Sequence, residues 1–282
     1  MPYRLPPRVG YDLSDQQLAR SNLVNPLRDF LRNYASRDRV YQHIEFTDWG
    51  DAANFTLANS NTGTNFTVVD ALGGVIRGTT AATATSTISA IGKTQFQGNN
   101  NCMVEGRFKI DTTVSTYAIE FGWINAAATT GATAVVDIDV PTFFTNITNA
   151  ALFGIWNNQT HANFAFASIG SFTSQTVATT LLTTSNSPAT APTDDTYLTV
   201  KVLLLTDPDR TGRAKSFCWL NGKLVASHVG VLTGAEMGSI NGQAAVYPWL
   251  LGHSIATTNA KVFSCDYIRV SQDRAALSGS LE

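Results

Sequence analysis

Residues 216–228 read SFCWLNGKLVASH, two runs of aromatic and branched residues on either side of Asn221-Gly222. Asn-Gly in that setting specifies a two-residue type I′ hairpin turn, because both central residues take positive φ and the turn's twist matches that of the strands. Such a turn sets the register, pairing Leu220 with Lys223, Trp219 with Leu224, Cys218 with Val225 and Phe217 with Ala226. One face is then expected to carry Phe217, Trp219, Leu224 and Ala226, with His228 at its end across from Lys215. The other carries Cys218, Leu220 and Val225. On this register Cys218 and His228 point to opposite sides, which excludes a thiolate–imidazole pair. A small buried thiol and a strand-end histidine remain.

Outward from the hairpin the same period continues. From Val40 onward, strand-length runs alternate with polar, glycine-bearing loops: YQHIEF, NFTVVD, GVIRGT, STISAIG, MVEGRFKI, TYAIEFGWIN, AALFGIWN, ANFAFASI, TYLTVKVLLLT, AKSFCWL, GKLVASH, YPWLLGH and KVFSCDYIRVS. So many strands without intervening helices predict an all-β sandwich. Val104, Gly106, Phe108 and Ile110 are expected inside, with Glu105, Arg107 and Lys109 outside. Ile119, Phe121 and Trp123 are expected inside and Glu120 outside, near Arg107 or Lys109. The Ser- and Thr-rich stretch 171–193 reads as a strand and loop on the surface.

Composition narrows the class. The chain of 282 residues is 44% hydrophobic but only 14% charged, well below the usual quarter. A surface solvated by hydroxyls and amides suits a protein that meets other subunits. Cys102, Cys218 and Cys265 lack metal-ligand spacing and sit in apolar strands, so reduced thiols are expected, with no disulfide, metal or cofactor. The N-terminus has no apolar signal core, and no run approaches the ~18 apolar residues of a membrane span. The expectation is a soluble, unsecreted chain whose Asn-x-Thr triplets are accidents of composition.

The first 42 residues differ. MPYRLPPRVG is proline-rich and expected extended; Ser14 and Gln17 form a capping box for a short helix. In NPLRDFLRNYASRDR, Asn25 caps and Pro26 opens a helix whose Leu27, Phe30, Leu31 and Tyr34 form one apolar stripe. Residues 1–39 hold seven Arg against four Asp, a net of +3. Arg4, Arg8, Arg20, Arg28, Arg32, Arg37 and Arg39, with that stripe, are the candidate partner-binding residues. They favour an acidic protein surface over nucleic acid, since the interleaved aspartates weaken phosphate binding.

The strand order, the WLNGKLVA hairpin and the closing DYIRV strand resemble the concanavalin A-like, laminin-G-like jelly roll, over roughly residues 43–272. The variant most similar is that of structural proteins in tailed bacteriophage virions. The resemblance implies an arm (1–42), a jelly-roll sandwich (43–272) and a tail (273–282). It also implies a non-catalytic protein that cements or decorates a capsid, made in the host cytoplasm and carried on the virion exterior. Its partners would be the major capsid protein or other virion subunits, with homo-oligomerisation. The alternative is a carbohydrate-binding or carbohydrate-cleaving module, for example in a fibre or adsorption apparatus, with a surface glycan as ligand.

Catalytic constellations fail on spacing. Relatives that cleave β-glucans place carboxylates as E-x-D-x-x-E on one strand; the nearest match, VVDIDVP, offers Asp137 and Asp139 with no third carboxylate, and Pro141 ends the run. Glu120 stands alone. TDPDRTGR places Asp207, Asp209 and Thr211 before Gly212 as a calcium loop would, but the position for the bidentate Glu is Cys218. No catalytic and no metal residue is therefore assigned. For a sugar groove the aromatic candidates are Trp156, Trp249 and Tyr247, of which Trp156 and Trp249 sit in apolar strands and read as core. His43, His161 and His253 read as isolated strand-edge or loop residues.

Overall fold

In MVEGRFKI every second side chain is buried: Val104, Gly106, Phe108 and Ile110 face the core, and Met103, Glu105, Arg107 and Lys109 are half-exposed. A strand with one dry and one wet face must pack its dry face on a second layer. The computed structural model describes residues 39–45, 55–60, 63–70, 74–83, 86–111, 117–125, 147–156, 163–170, 178–189, 191, 193, 195–207, 212–229, 240–254 and 260–273, the first of these segments as backbone alone.

Seventeen strands form two sheets among these residues. The nine-stranded sheet holds β1 (Arg39–Glu45), β3 (Thr64–Asp70), β4 (Val75–Thr79), β7 (Met103–Ile110), β12 (Leu198–Thr206), β13 (Arg213–Leu220), β14 (Lys223–His228), β15 (Ile240–Asn241) and β17 (Val262–Asp273). The eight-stranded sheet holds β2 (Phe55–Asn59), β5 (Ser86–Gly92), β6 (Phe96–Gln97), β8 (Tyr117–Ile124), β9 (Ala150–Trp156), β10 (Phe164–Ile169), β11 (Ala178–Leu181) and β16 (Ala245–Ser254). Their orders are β14-β13-β12-β7-β17-β4-β3, with β1 on β17 and β15 on β13, and β11-β10-β9-β8-β16-β5-β2, with β6 on β16. Between β7 and β12, neighbours in one sheet, the chain makes four strands of the other. These crossings produce the two-layer concanavalin A-like jelly roll. All thirteen runs read as strands are strands; β11 lies in the 171–193 stretch, and β2, β6 and β15 are additional.

The inner faces meet in one continuous core. Phe108 of one sheet lies 5.4 Å from Phe121 of the other, and Phe153 lies 4.8 Å from Phe164. Trp123 reaches across the layers and donates its indole N–H to the carbonyl of Val202 at 3.2 Å, which satisfies the polar atom that burial of the ring would otherwise strand.

The hairpin corrects the expected register. Asn221 (φ 48) and Gly222 (φ 82) make the positive-φ turn, and Leu220 pairs with Lys223 and Trp219 with Leu224 as expected. Between Cys218 and Trp219 the register then shifts, so Cys218 pairs with Ala226, Phe217 with Ser227 and Ser216 with His228. The extra residue on β14 turns His228 onto the Cys218 face. Both are buried, yet no dyad forms. His228 Nδ1 lies 2.6 Å from the Ser168 hydroxyl and Nε2 2.9 Å from the Thr180 hydroxyl, so both ring nitrogens are engaged by the opposite sheet. Burial pushes the Cys218 thiol well above the ordinary range, keeping it protonated and inert.

Three further expectations change. Glu120 does face outward on β8, but it is fully buried and accepts a hydrogen bond from the Trp249 indole at 2.9 Å rather than meeting Arg107 or Lys109, which belong to the other sheet. His253 lies inside β16 and is buried, not at an edge or in a loop. The 171–193 stretch contributes β11 and the buried Leu182, so part of it belongs to the sandwich.

Candidate functional site

Each sheet has an outer face, and the two differ in access. On the eight-stranded sheet, β8 is buried at every position and β5 likewise. Ala118, Ile124, Leu152, Ala165, Ala167, Trp249 and Leu251 form a second apolar cluster there. Glu120 sits in its middle, opposite Leu251 and diagonal to both Trp249 and His253. Among the described residues neither ring nitrogen of His253 has a hydrogen-bond partner, and burial lowers its pKa to about 4. Among the described residues this face offers no open platform for a polymer.

The outer face of the nine-stranded sheet is accessible. Register assembles it in rows, since cross-strand partners share a face. Ser271, Met103, Leu203, Phe217 and Ser227 form one row, and Arg269, Glu105, Lys201, Trp219 and Leu224 the next. Tyr267, Arg107 and Thr199 form a third. Phe217, Trp219, Tyr197 and Tyr267 are half-buried, and Leu224 is 47% exposed.

Charged side chains hold the rings in place. The Arg107 guanidinium lies 4.1 Å from the centre of the Tyr197 ring, with Lys109 Nζ at 5.0 Å; Arg269 lies 4.9 Å from the Tyr267 ring. Tyr267 donates its hydroxyl to Glu105 at 3.0 Å, and burial, then the Glu105 charge, push that phenol up to about 12. Arg107 pairs with Asp266, and Lys109 with Asp111 and Asp195. The hydrogen bonds of Lys109 to Asp195 and Asp111 raise its pKa, and the same contact lowers that of Asp195. Lys201 Nζ sits 4.3 Å from the centre of the Trp219 indole, and Phe217 lies 6.1 Å from that ring.

Of the partner-binding residues expected in the arm, Arg39 opens β1, its backbone opposite Asp273. Arg4, Arg8, Arg20, Leu27, Arg28, Phe30, Leu31, Arg32, Tyr34 and Arg37 lie outside the described residues, as do Asp137, Asp139, Asp209 and Thr211. Asp207, the first position of the calcium-like loop, is buried with its carboxylate 3.3 Å from Lys215 Nζ, so a cation of the chain already occupies it. Trp249 is core, as read, and Tyr247 packs against the second cluster.

No protein-family model matches the chain, and no curated protein does. Solved structures do match. A protein of unknown function from Shewanella oneidensis MR-1 is 15% identical, with TM-score 0.52 over 93% of this chain and 98% of that one. Peanut lectin is 10% identical, with TM-score 0.54 over 85% of this chain and 99% of that one. The alginate lyase Aly36B is 10% identical, with TM-score 0.51 over 83% of this chain and 96% of that one. At these identities the likeness is one of fold.

Proposed function

We propose that the chain is a carbohydrate-binding jelly-roll module whose ligand lies on the outer face of the nine-stranded sheet. The observation that carries this reading is the set of half-exposed rings, Tyr197, Phe217, Trp219 and Tyr267, held among charged donors and acceptors on one accessible face. A pyranose presents an apolar C–H face and a rim of hydroxyls. Rings that offer flat apolar area at low entropic cost, beside fixed polar groups, match both. Two of the solved structures with the same fold are a lectin and an alginate lyase, which supports a glycan as the ligand class.

Among the described residues of this face no pair of carboxylates is set as nucleophile and general acid, and the reading is of binding without cleavage. The virion attachment reading draws on the charge-poor composition and the arm, both features of the sequence, and it predicts a different binding partner.

Affinity electrophoresis through gels containing single polysaccharides separates the two. The expected result is retardation by at least one polysaccharide, with Trp219→Ala weakening binding about tenfold, the loss of one stacked aromatic. The variant should melt close to wild type, because Trp219 is half-exposed. Binding to no polysaccharide, together with co-sedimentation with phage particles, would replace the glycan reading with the attachment one.

A further inference from the structure

Lys201 is placed differently from the other cations of this face. Register puts it between Glu105 on β7 and Trp219 on β13. The Glu105 carboxylate is already engaged, accepting from the Tyr267 hydroxyl and lying 3.7 Å from Arg269. Lys201 leans the other way, over the indole. Arg107, Lys109 and Arg269 each have a carboxylate within 4 Å, as does Arg77, which pairs with Asp111 at 3.2 Å. Among the described residues, no carboxylate lies within that distance of Lys201, and its ammonium retains its three N–H donors.

A half-buried ammonium that touches an indole but no carboxylate, beside half-exposed rings, is a site for an anion that arrives attached to something flat. We propose, building on the glycan reading above, that the bound polymer is acidic, with a uronic acid residue whose carboxylate pairs with Lys201 while its C–H face lies on Phe217 and Trp219. The geometry favours a carboxylate carried equatorially on the sugar. Such a group extends in the plane of the pyranose, so a sugar stacked on the aromatic residues of β13 carries its charge at the rim of the stack, within reach of the ammonium that lies over the Trp219 indole. The neighbouring acids are neutralised by their own cations, so they do not repel the ligand: Asp266 by Arg107, Asp111 and Asp195 by Arg77 and Lys109 together, and Glu105 by Arg269. Among the described residues of this face, Lys201 is the cation set beside the rings without a carboxylate, which implies one acidic residue read at this point, with neighbouring sugars held by the rings alone. Binding is therefore expected to weaken with salt without being abolished.

Polygalacturonate and its fully methyl-esterified form share a backbone and differ in charge, so the two polymers separate this inference from the reading on which it rests. The full chain is titrated with each by calorimetry. The acid form is expected to bind about tenfold more tightly than the ester, the contribution of one charge-assisted contact. Lys201→Met should abolish that preference for acid over ester, and Lys201→Arg should keep it. Equal affinity for acid and ester in the wild-type chain would overturn the inference and leave the glycan reading standing. A preference that survives in Lys201→Met would overturn it too, by assigning the anion to another cation. Binding to neither polymer, or to any other glycan, would overturn both.

Discussion

Gly122→Ala is expected to remove a large share of the stability of the sandwich. Gly122 lies inside β8 with φ +151, a backbone conformation that side-chain-bearing residues rarely adopt, and an added Cβ would lie 2.2 Å from the carbonyl oxygen of Ala151 on β9. The obstacle is backbone, so no rotamer change relieves it. Strain at such a φ and overpacking against a fixed strand together cost roughly 3 to 5 kcal/mol, a large share of the ~5 to 15 kcal/mol that holds a typical domain. β8 is central in the eight-stranded sheet, between β9 and β16, so the damage reaches both neighbours. Gly222→Ala is the control. Its φ is +82 but nothing lies within 4 Å of its Cβ position, so only the conformational cost of about 1 kcal/mol applies. Urea unfolding followed by near-ultraviolet circular dichroism distinguishes the two. A Gly122→Ala chain that unfolds at the wild-type midpoint would show that β8 and β9 do not approach as described.

Acid should weaken the fold before its carboxylates titrate. Burial holds both His228 and His253 at about 4, against the ordinary 6.5. Between those values the unfolded chain binds a proton at each site that the folded chain refuses, so stability rises with pH across the window. It is complete above about 6.5 and is lost as pH falls toward 4. From pH 7 to pH 5 the loss is about 2 kcal/mol per histidine, and near pH 4 roughly 3. The two sites differ in mechanism. His228 is held between Ser168 and Thr180 with the Phe166 ring 4.9 Å away, whereas His253 is enclosed with no hydrogen-bond partner among the described residues. Urea midpoints measured at pH 7 and pH 5 should therefore separate in the wild-type chain, and much less in a His228→Gln/His253→Gln double variant. Equal separation in both chains would assign the acid sensitivity to other groups.

The fold was legible because its signals are local. The Asn221-Gly222 turn, the alternation in residues 103–110 and the apolar runs place thirteen strands without tertiary information, and short pairings such as β6 and β15, two residues each, are set by contacts instead. The candidate site was legible only in part. Alternation shows that Trp219 and Phe217 share a face, but not which face of β13 the second sheet covers. Where a strand is buried on both sides, as β8 is, alternation carries no signal, and Glu120 reads as a surface residue until Trp249 and Leu251 are seen on the neighbouring strand. The bulge on β14 opposite Cys218 and Trp219 leaves no mark in KLVASH, whose small and apolar residues fit either register. The turn alone therefore puts His228 on the wrong face, while the conclusion that no Cys–His pair forms stands for a different reason: its nitrogens are taken by two hydroxyls.

The glycan assignment depends on which surface a bound polysaccharide covers, and hydroxyl-radical footprinting reads that directly, because it oxidises accessible aromatic and sulfur side chains. With saturating polygalacturonate, Trp219, Phe217, Tyr197 and Met103 should be protected together, while the buried Trp123 and Trp249 stay unreactive with and without ligand. Protection confined to residues off the outer face of the nine-stranded sheet, or an unchanged pattern at saturation, would contradict the assignment.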